Sequence, residues 1–167
     1  LMNEFHRCGH EVKFLLTSSK PEEVVRTDLK EEIPLVFLQA QSRNIFAKGL
    51  RVVSSLFCRA FESFKQPVPS YLAYLSFVSQ YGNEIKQLRQ IMKENPDLTV
   101  IAFLPPAIPM VVLAGRGLPN KIIFSERGNP ERLMKKRYGR NFIKKYYERI
   151  DKAVFQTENA KKVYPKN

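Results

Sequence analysis

The sequence predicts an α/β domain in which helices cover both faces of a Rossmann-like parallel β-sheet. Two observations indicate this class. Short, almost entirely apolar segments recur along the chain, and each has the length of one strand. Amphipathic segments of helical length separate them, and this alternation is typical of parallel sheets. The 167 residues are enough for one such domain but too few to suggest two.

The first half of the chain is predicted to contain two helices and two strands. The opening helix is expected to end before Gly9, because glycine favours the position just past a helix. Strands are predicted within 11–19 and 33–39. From 43 to 65 the apolar residues recur every three or four positions, which predicts an amphipathic helix. Its apolar stripe consists of Phe46, Leu50, Val53, Phe57, Phe61 and Phe64.

The second half of the chain repeats the pattern of helix and strand. Strands are predicted at 98–104, 121–124 and 152–157, and helices at 83–97, 107–115, 130–150 and 158–165. Asn129 and Pro130 are residue types that favour a helix N-cap and the first helical position. The apolar strand at 121–124 runs directly into Ser-Glu-Arg, so it is expected to end in polar residues.

Several classes of protein are disfavoured by the sequence. Prolines interrupt the longest apolar run, so no segment of membrane-spanning length is present. Cys8 and Cys58 are far apart and favour neither metal binding nor dithiol chemistry. His6 and His10 have no third ligand nearby, so we expect no metal site. The chain also has no Gly-Lys-Ser or Gly-Lys-Thr phosphate-binding loop.

The net charge of +12 is the most unusual property of the composition. It indicates an anionic partner: nucleic acid, acidic lipid or a phosphorylated substrate. Residues 132–152 contain nine Lys or Arg residues, two acidic residues and three interleaved tyrosines at 138, 146 and 147. Nucleic-acid binding and a solvated basic helix face both explain this segment. The helix at 43–65 likewise presents either a core stripe or a membrane-surface face.

Polar residues follow several of the predicted strands. Because ligands of open parallel sheets bind at the carboxyl ends of the strands, we expect a site where Ser125, Glu126 and Arg127 meet the ends of the other strands. Arg127 could hold a phosphate or a sugar hydroxyl with its forked donors. Glu126 could orient or deprotonate a hydroxyl. In the alternative interpretation, Glu126 and Arg127 only pair with each other or cap a helix.

Three stretches of the chain resemble, in order, the amino-terminal domain of family 4 glycosyltransferases. Residues 1–19 are similar to its first helix and second strand, with Gly-His-Glu-Val between them. Residues 85–130 resemble its central part, which includes a Pro-Asp turn and a strand that runs into Ser-Glu-Arg. Residues 146–164 are similar to its closing segment, in which a Tyr-rich helix precedes a strand ending in Gln-Thr.

The resemblance implies one half of a GT-B enzyme, in which two Rossmann-like domains face each other across a cleft. The implied activity is retaining transfer of a sugar from a nucleotide-sugar to a glycan or lipid-linked glycan in polysaccharide biosynthesis, with no cofactor or metal. This half would hold the acceptor, and a carboxyl-terminal domain would hold the donor. We therefore expect residues 1–167 to be a piece, inactive alone, that lacks a preceding first strand and all that follows 167.

The resemblance also implies roles for individual residues. Ser125, Glu126 and Arg127 occupy the position where many relatives place a histidine beside the transferred sugar. The rest of the cleft would be lined by residues at the other strand ends: Thr17, Ser18, Leu104, Pro105 and Thr157. A cytoplasmic protein that docks on anionic lipid at the inner membrane surface is implied, and nucleic acid is the less favoured partner. The alternative function is a basic Rossmann-like module that binds nucleic acid or anionic membrane without catalysis.

Overall fold

The structure of the protein is a computed structural model. It describes residues 1–17, 30–39, 45–64, 66, 68–103, 107–126 and 145–164. Two compact units divide the chain, Leu1–Ala40 and Gln41–Asn167. None of the helices in these described ranges is long and apolar enough to cross a membrane.

The first unit opens with helix α1, Met2–Arg7, which ends as the sequence predicts. Gly9 adopts a φ of 83°, the left-handed conformation that glycine accepts without strain. This lets the backbone N–H of Gly9 donate to the carbonyl of His6 at 3.0 Å, and that of His10 donate to Phe5 at 3.1 Å. The two bonds form a Schellman motif and satisfy carbonyls that the end of the helix would leave unpaired.

Two short strands complete the first unit. β1, Phe14–Leu16, pairs in parallel with β2, Leu35–Phe37. The backbone N–H of Leu38 extends the ladder by donating to the carbonyl of Leu16 at 2.8 Å. Both strands fall within the predicted segments, and their parallel direction is confirmed.

The second unit contains a three-stranded parallel sheet. Its strands are β3, Thr99–Phe103, β4, Lys121–Glu126, and β5, Lys152–Phe155, and β4 lies in the centre. Four described helices accompany the sheet: α2, Ile45–Ser63, α3, Ser70–Glu94, α4, Ala107–Ala114, and α5, Glu158–Val163. The protein is thus a mixed α/β protein. Its described strands form two small parallel sheets, one in each unit.

Helix α4 lies at the core of the second unit. Nearly all its side chains are buried, and it contacts β3, β4 and α3. Immediately after it, a Cβ at Gly115 would lie 2.9 Å from Cε of Met92 and 3.1 Å from Cδ1 of Ile122, so a larger residue here would require these side chains to shift. The Arg89 guanidinium donates to the carbonyls of Ala114 and Arg116, each at 2.8 Å, and so ties α3 to the end of α4.

The start of β4 is fixed by the residue that precedes β5. The backbone N–H of Ile122 donates to Oδ2 of Asp151 at 2.7 Å, and the backbone N–H of Asp151 donates back to the carbonyl of Ile122 at 2.9 Å. Together these bonds set the register in which Ile123 lies opposite Lys152. This register determines which residues meet at the far end of the two strands.

Helix α2 does not bury the apolar stripe that the sequence predicts for it. α2 packs against α3, and among its described side chains those of Ser54 and Cys58 are buried. Several members of the stripe are exposed instead, including Leu50, Val53 and Phe57. The core interpretation is therefore wrong for these three members of the stripe.

Candidate functional site at the carboxyl end of β4

The polar residues after "KIIF" belong to the strand itself. The sequence predicts a strand that ends at Phe124, but β4 continues through Ser125 and Glu126. Ser125 lies opposite Phe103 of β3 and Val154 of β5, and Glu126 lies opposite Phe155. Because Ser125 is paired with both neighbouring strands and Glu126 with β5, these polar residues are held in the sheet rather than in a loop.

Glu126 is one of the most buried side chains in the described part of the chain, with 1% of its surface exposed. Its Oε2 accepts a hydrogen bond from the hydroxyl of Tyr164, the residue that follows α5. Burial, together with this hydrogen bond, raises the pKa of the Tyr164 hydroxyl. The hydroxyl therefore stays protonated at neutral pH and acts as a fixed donor to the carboxyl group.

A cluster of aromatic rings holds Tyr164 in place. Its ring centroid lies 4.8 Å from that of Tyr147, 5.3 Å from Phe155 and 5.7 Å from Phe124. The Phe124 and Tyr147 rings meet edge to face at 89°, an arrangement that aromatic quadrupoles favour. Residues from β4, β5 and the helical residues 145–147 thereby fix the hydroxyl that contacts Glu126.

Two tyrosines of the basic segment 132–152 are part of the core. Tyr146 and Tyr147 are buried, and burial raises the pKa of both phenol groups. Stacking on nucleic-acid bases requires an exposed aromatic face, which neither side chain offers. The remainder of this segment up to 144, including Tyr138, lies outside the described residues, as does the predicted helix start at Asn129.

Thr157 caps a helix. It has extended backbone angles and its Oγ1 accepts a hydrogen bond from the backbone N–H of Ala160 at 3.1 Å. This contact satisfies one of the N–H groups at the start of α5 that have no intrahelical partner. Thr157 stands two residues after Phe155, so it lies at the same edge of the sheet as Glu126.

Replacing Thr157 with Ala is expected to lower the free energy of unfolding by about 1 kcal/mol, because the cap of α5 is lost. Thr157→Ser keeps an oxygen in the same place and should retain most of that stability. Urea unfolding followed by circular dichroism measures both variants. Equal stability of the Ala variant and the native chain would show that the hydroxyl does not cap the helix.

Of the other predicted site residues, only Thr17 lies in the described part of the chain. Thr17 is exposed and follows β1, in the first unit. Ser18, Leu104, Pro105 and Arg127 lie outside the described residues. The described part of the chain therefore brings together Ser125, Glu126 and Thr157, at the carboxyl ends of two neighbouring parallel strands.

A second buried carboxyl group lies in α3. Glu84 is 4% exposed, and its Oε2 has no hydrogen-bond partner. Burial raises its pKa, since the charged form of a carboxyl group is poorly stabilised away from water. Within the described ranges, no group of three His, Cys, Asp or Glu residues is placed to hold a metal ion.

Sequence reasoning identified Glu126 but missed Tyr164. The two residues are 38 positions apart, and only the packing of α5 against β5 brings them together. The sequence contains only a weak indication of this contact, because Tyr164 is one more apolar position in a short helical pattern. Neither a protein-family model, nor a characterised protein, nor a solved structure matches this chain.

Proposed function

We propose that this chain is the acceptor-side half of a retaining glycosyltransferase of polysaccharide biosynthesis. The proposal rests on the residues at the carboxyl end of the parallel β4–β5 pair. Polar groups are concentrated there at Ser125, Glu126 and Thr157, whereas the rest of the two strands is mostly apolar. Ligands of open parallel sheets bind at this end of the strands.

In this proposal Glu126 and Arg127 have different tasks. The carboxyl group of Glu126 is covered and held by the Tyr164 hydroxyl, so it positions the end of β4 and does not touch the substrate. Arg127 is the next residue, and we assign it the direct contact. Its guanidinium would donate to a sugar hydroxyl or a phosphate oxygen, for which a planar fork of N–H groups is well suited.

The partners follow from the same assignment. The donor is a nucleotide-sugar, and a carboxyl-terminal domain of the parent protein holds most of it. The acceptor is a glycan or a lipid-linked glycan at the cytoplasmic face of a membrane. No cofactor or metal takes part. Residues 1–167 alone should not transfer sugar, because the groups that stabilise the leaving diphosphate belong to the donor domain.

The coding sequence downstream of Asn167 provides the first test. We expect it to encode a second Rossmann-like domain that carries a basic residue and a pair of glutamates seven positions apart. A stop codon directly after Asn167 would contradict the proposal.

Arg127→Ala in the parent protein provides the second test. The transfer rate should fall about tenfold or more, because a charged hydrogen bond to substrate contributes roughly 1.5–3 kcal/mol. Arg116→Ala is the matched control, because Arg116 is an exposed arginine in the turn after α4 and should leave transfer unchanged. Radiolabelled sugar incorporated into the acceptor measures both variants. Undiminished transfer by the Arg127 variant would remove that residue from the site.

A basic module without catalysis is the second candidate, and the net charge of +12 favours it. Binding to duplex DNA that weakens steeply with salt would support its nucleic-acid version. The burial of Tyr146 and Tyr147 removes two of the aromatic faces that such binding would use. Sugar transfer by the parent protein distinguishes this candidate from the first.

A further inference from the structure

We infer that one face of helix α2 binds an anionic lipid surface. This α2 apolar face consists of Leu50, Val52, Val53, Leu56 and Phe57, each 48–57% exposed. Phe64, which follows the helix, extends it and is 77% exposed. The inference assigns a surface of this chain to the membrane named above, and it does not depend on sugar transfer.

Exposed apolar surface is concentrated around this helix. Of the eleven large apolar side chains that are exposed in the described part of the chain, nine lie between Leu50 and Leu75. Tyr71 and Tyr74, in the first two turns of α3, are exposed as well. Single exposed apolar residues are ordinary, but a continuous group of them marks a surface that another molecule covers.

The contact between α2 and α3 leaves this face uncovered. At about 100° per residue, the buried Ser54 and Cys58 lie close together on one side of α2. At the same spacing Leu56 lies on the opposite side of the helix, and Phe57 lies at the margin of the buried side, about 60° from Ser54. The helix is therefore held to the protein by its small residues. The larger apolar residues remain available to another molecule.

The charges in the sequence of α2 and its neighbouring segments indicate the partner. From 41 to 83 the sequence contains five basic residues and one acidic residue: Arg43, Lys48, Arg51, Arg59 and Lys65 against Glu62. A second copy of the chain would bring like charges together, which disfavours self-association through this face. Duplex nucleic acid would satisfy the cations but would bury no apolar side chains in the way Leu56 and Phe57 require. A bilayer with anionic headgroups satisfies both features, as it does for amphipathic helices that lie in the membrane interface.

Arg59 has the best position to contact headgroups. It is exposed and stands three residues after Leu56 and seven after Val52, so it borders the α2 apolar face. Arg51 is also exposed, but at about 100° per residue it lies on the side of Cys58. With the apolar face in the bilayer, Arg59 would therefore lie near the phosphates and Arg51 farther from them.

Sedimentation of the chain with vesicles tests the inference. Vesicles of equal parts phosphatidylcholine and phosphatidylglycerol should bind it, and pure phosphatidylcholine should bind it far more weakly. The double variant Leu56→Ser/Phe57→Ser should weaken binding at least about tenfold, because both side chains lose burial in the acyl region. Val154→Ser is the matched control, since Val154 is equally exposed, at 56%, but lies on β5. It should bind as the native chain does.

A pair of charge variants tests the orientation of α2. Arg59→Gln should weaken binding about fivefold, the effect of one cation near an anionic surface, and Arg51→Gln should weaken it less. Circular dichroism and thermal unfolding establish that each variant is folded.

Four outcomes would overturn the inference. They are no binding to anionic vesicles, binding that the double variant leaves unchanged, equal losses for Arg59→Gln and Arg51→Gln, and self-association of the native chain in solution that the double variant abolishes. The last would show that a second copy covers the face. Vesicle binding that persists in a parent protein without transferase activity would support the inference while removing the proposed function.

Discussion

Replacing Phe124 with Ala is expected to lower the free energy of unfolding by about 3–5 kcal/mol, the usual cost of removing a fully buried aromatic ring. Phe124 has no exposed surface and lies on the central strand β4. Its ring contacts those of Tyr147 and Tyr164, so its loss leaves a cavity beneath the hydroxyl that holds Glu126. Since small domains are stable by only about 5–15 kcal/mol, a loss of this size removes a large part of their stability.

Phe64→Ala is the control for this experiment. It removes the same atoms from a side chain that is 77% exposed. The free energy of unfolding should therefore change by no more than about 0.5 kcal/mol. Guanidinium unfolding followed by circular dichroism measures both variants. Equal losses in the free energy of unfolding for the two variants would show that the aromatic cluster is not part of the core of the second unit.

Replacing Tyr164 with Phe is expected to lower the free energy of unfolding by about 1–3 kcal/mol at neutral pH. The ring and its packing remain, and only the hydroxyl that donates to Glu126 is lost. Tyr71→Phe removes the same atom from a ring that is 65% exposed and should have almost no effect. A double-mutant cycle with Glu126→Gln isolates the contribution of the pair.

The effect of Tyr164→Phe should also depend on pH. Because the pKa of the Tyr164 hydroxyl is raised above its ordinary value of 10.0, the folded chain keeps this proton at a pH where the unfolded chain releases it. The stability that Tyr164 contributes is therefore complete below about pH 10 and is lost as pH rises further. The native chain and the variant should thus converge in stability above that pH. A difference that stays constant would show that the hydroxyl is not protected in the folded chain.

Local features of the fold could be predicted from the sequence. Apolar runs located each described strand, although β1, β2 and β5 contain no fully buried residue. Gly9 marked the end of α1, because its position requires a positive φ that few other residues adopt. These predictions depend on residues within one or two turns of each other, and such signals are present in the sequence itself.

The end of β4 and the face of α2 could not be predicted in the same way. Ser125 and Glu126 were expected to lie past the strand because they are polar, yet the ladders to β3 and β5 extend it over both. Thr157 was assigned to the cleft, although a threonine followed by a glutamate also favours a helix N-cap. The period of the apolar residues in α2 defines a face, but the period does not specify whether protein, lipid or water covers it.

The anomeric configuration of the transferred sugar tests the central claim most directly. The protein encoded by the complete coding sequence would be incubated with nucleotide-sugar and acceptor, and the new linkage examined by nuclear magnetic resonance through its one-bond carbon–proton coupling. We predict transfer with the anomeric configuration of the donor retained, at a rate that Arg127→Ala lowers. Inversion of that configuration, or a folded parent protein that transfers no sugar from any nucleotide-sugar, would contradict the assignment of this chain to a retaining glycosyltransferase.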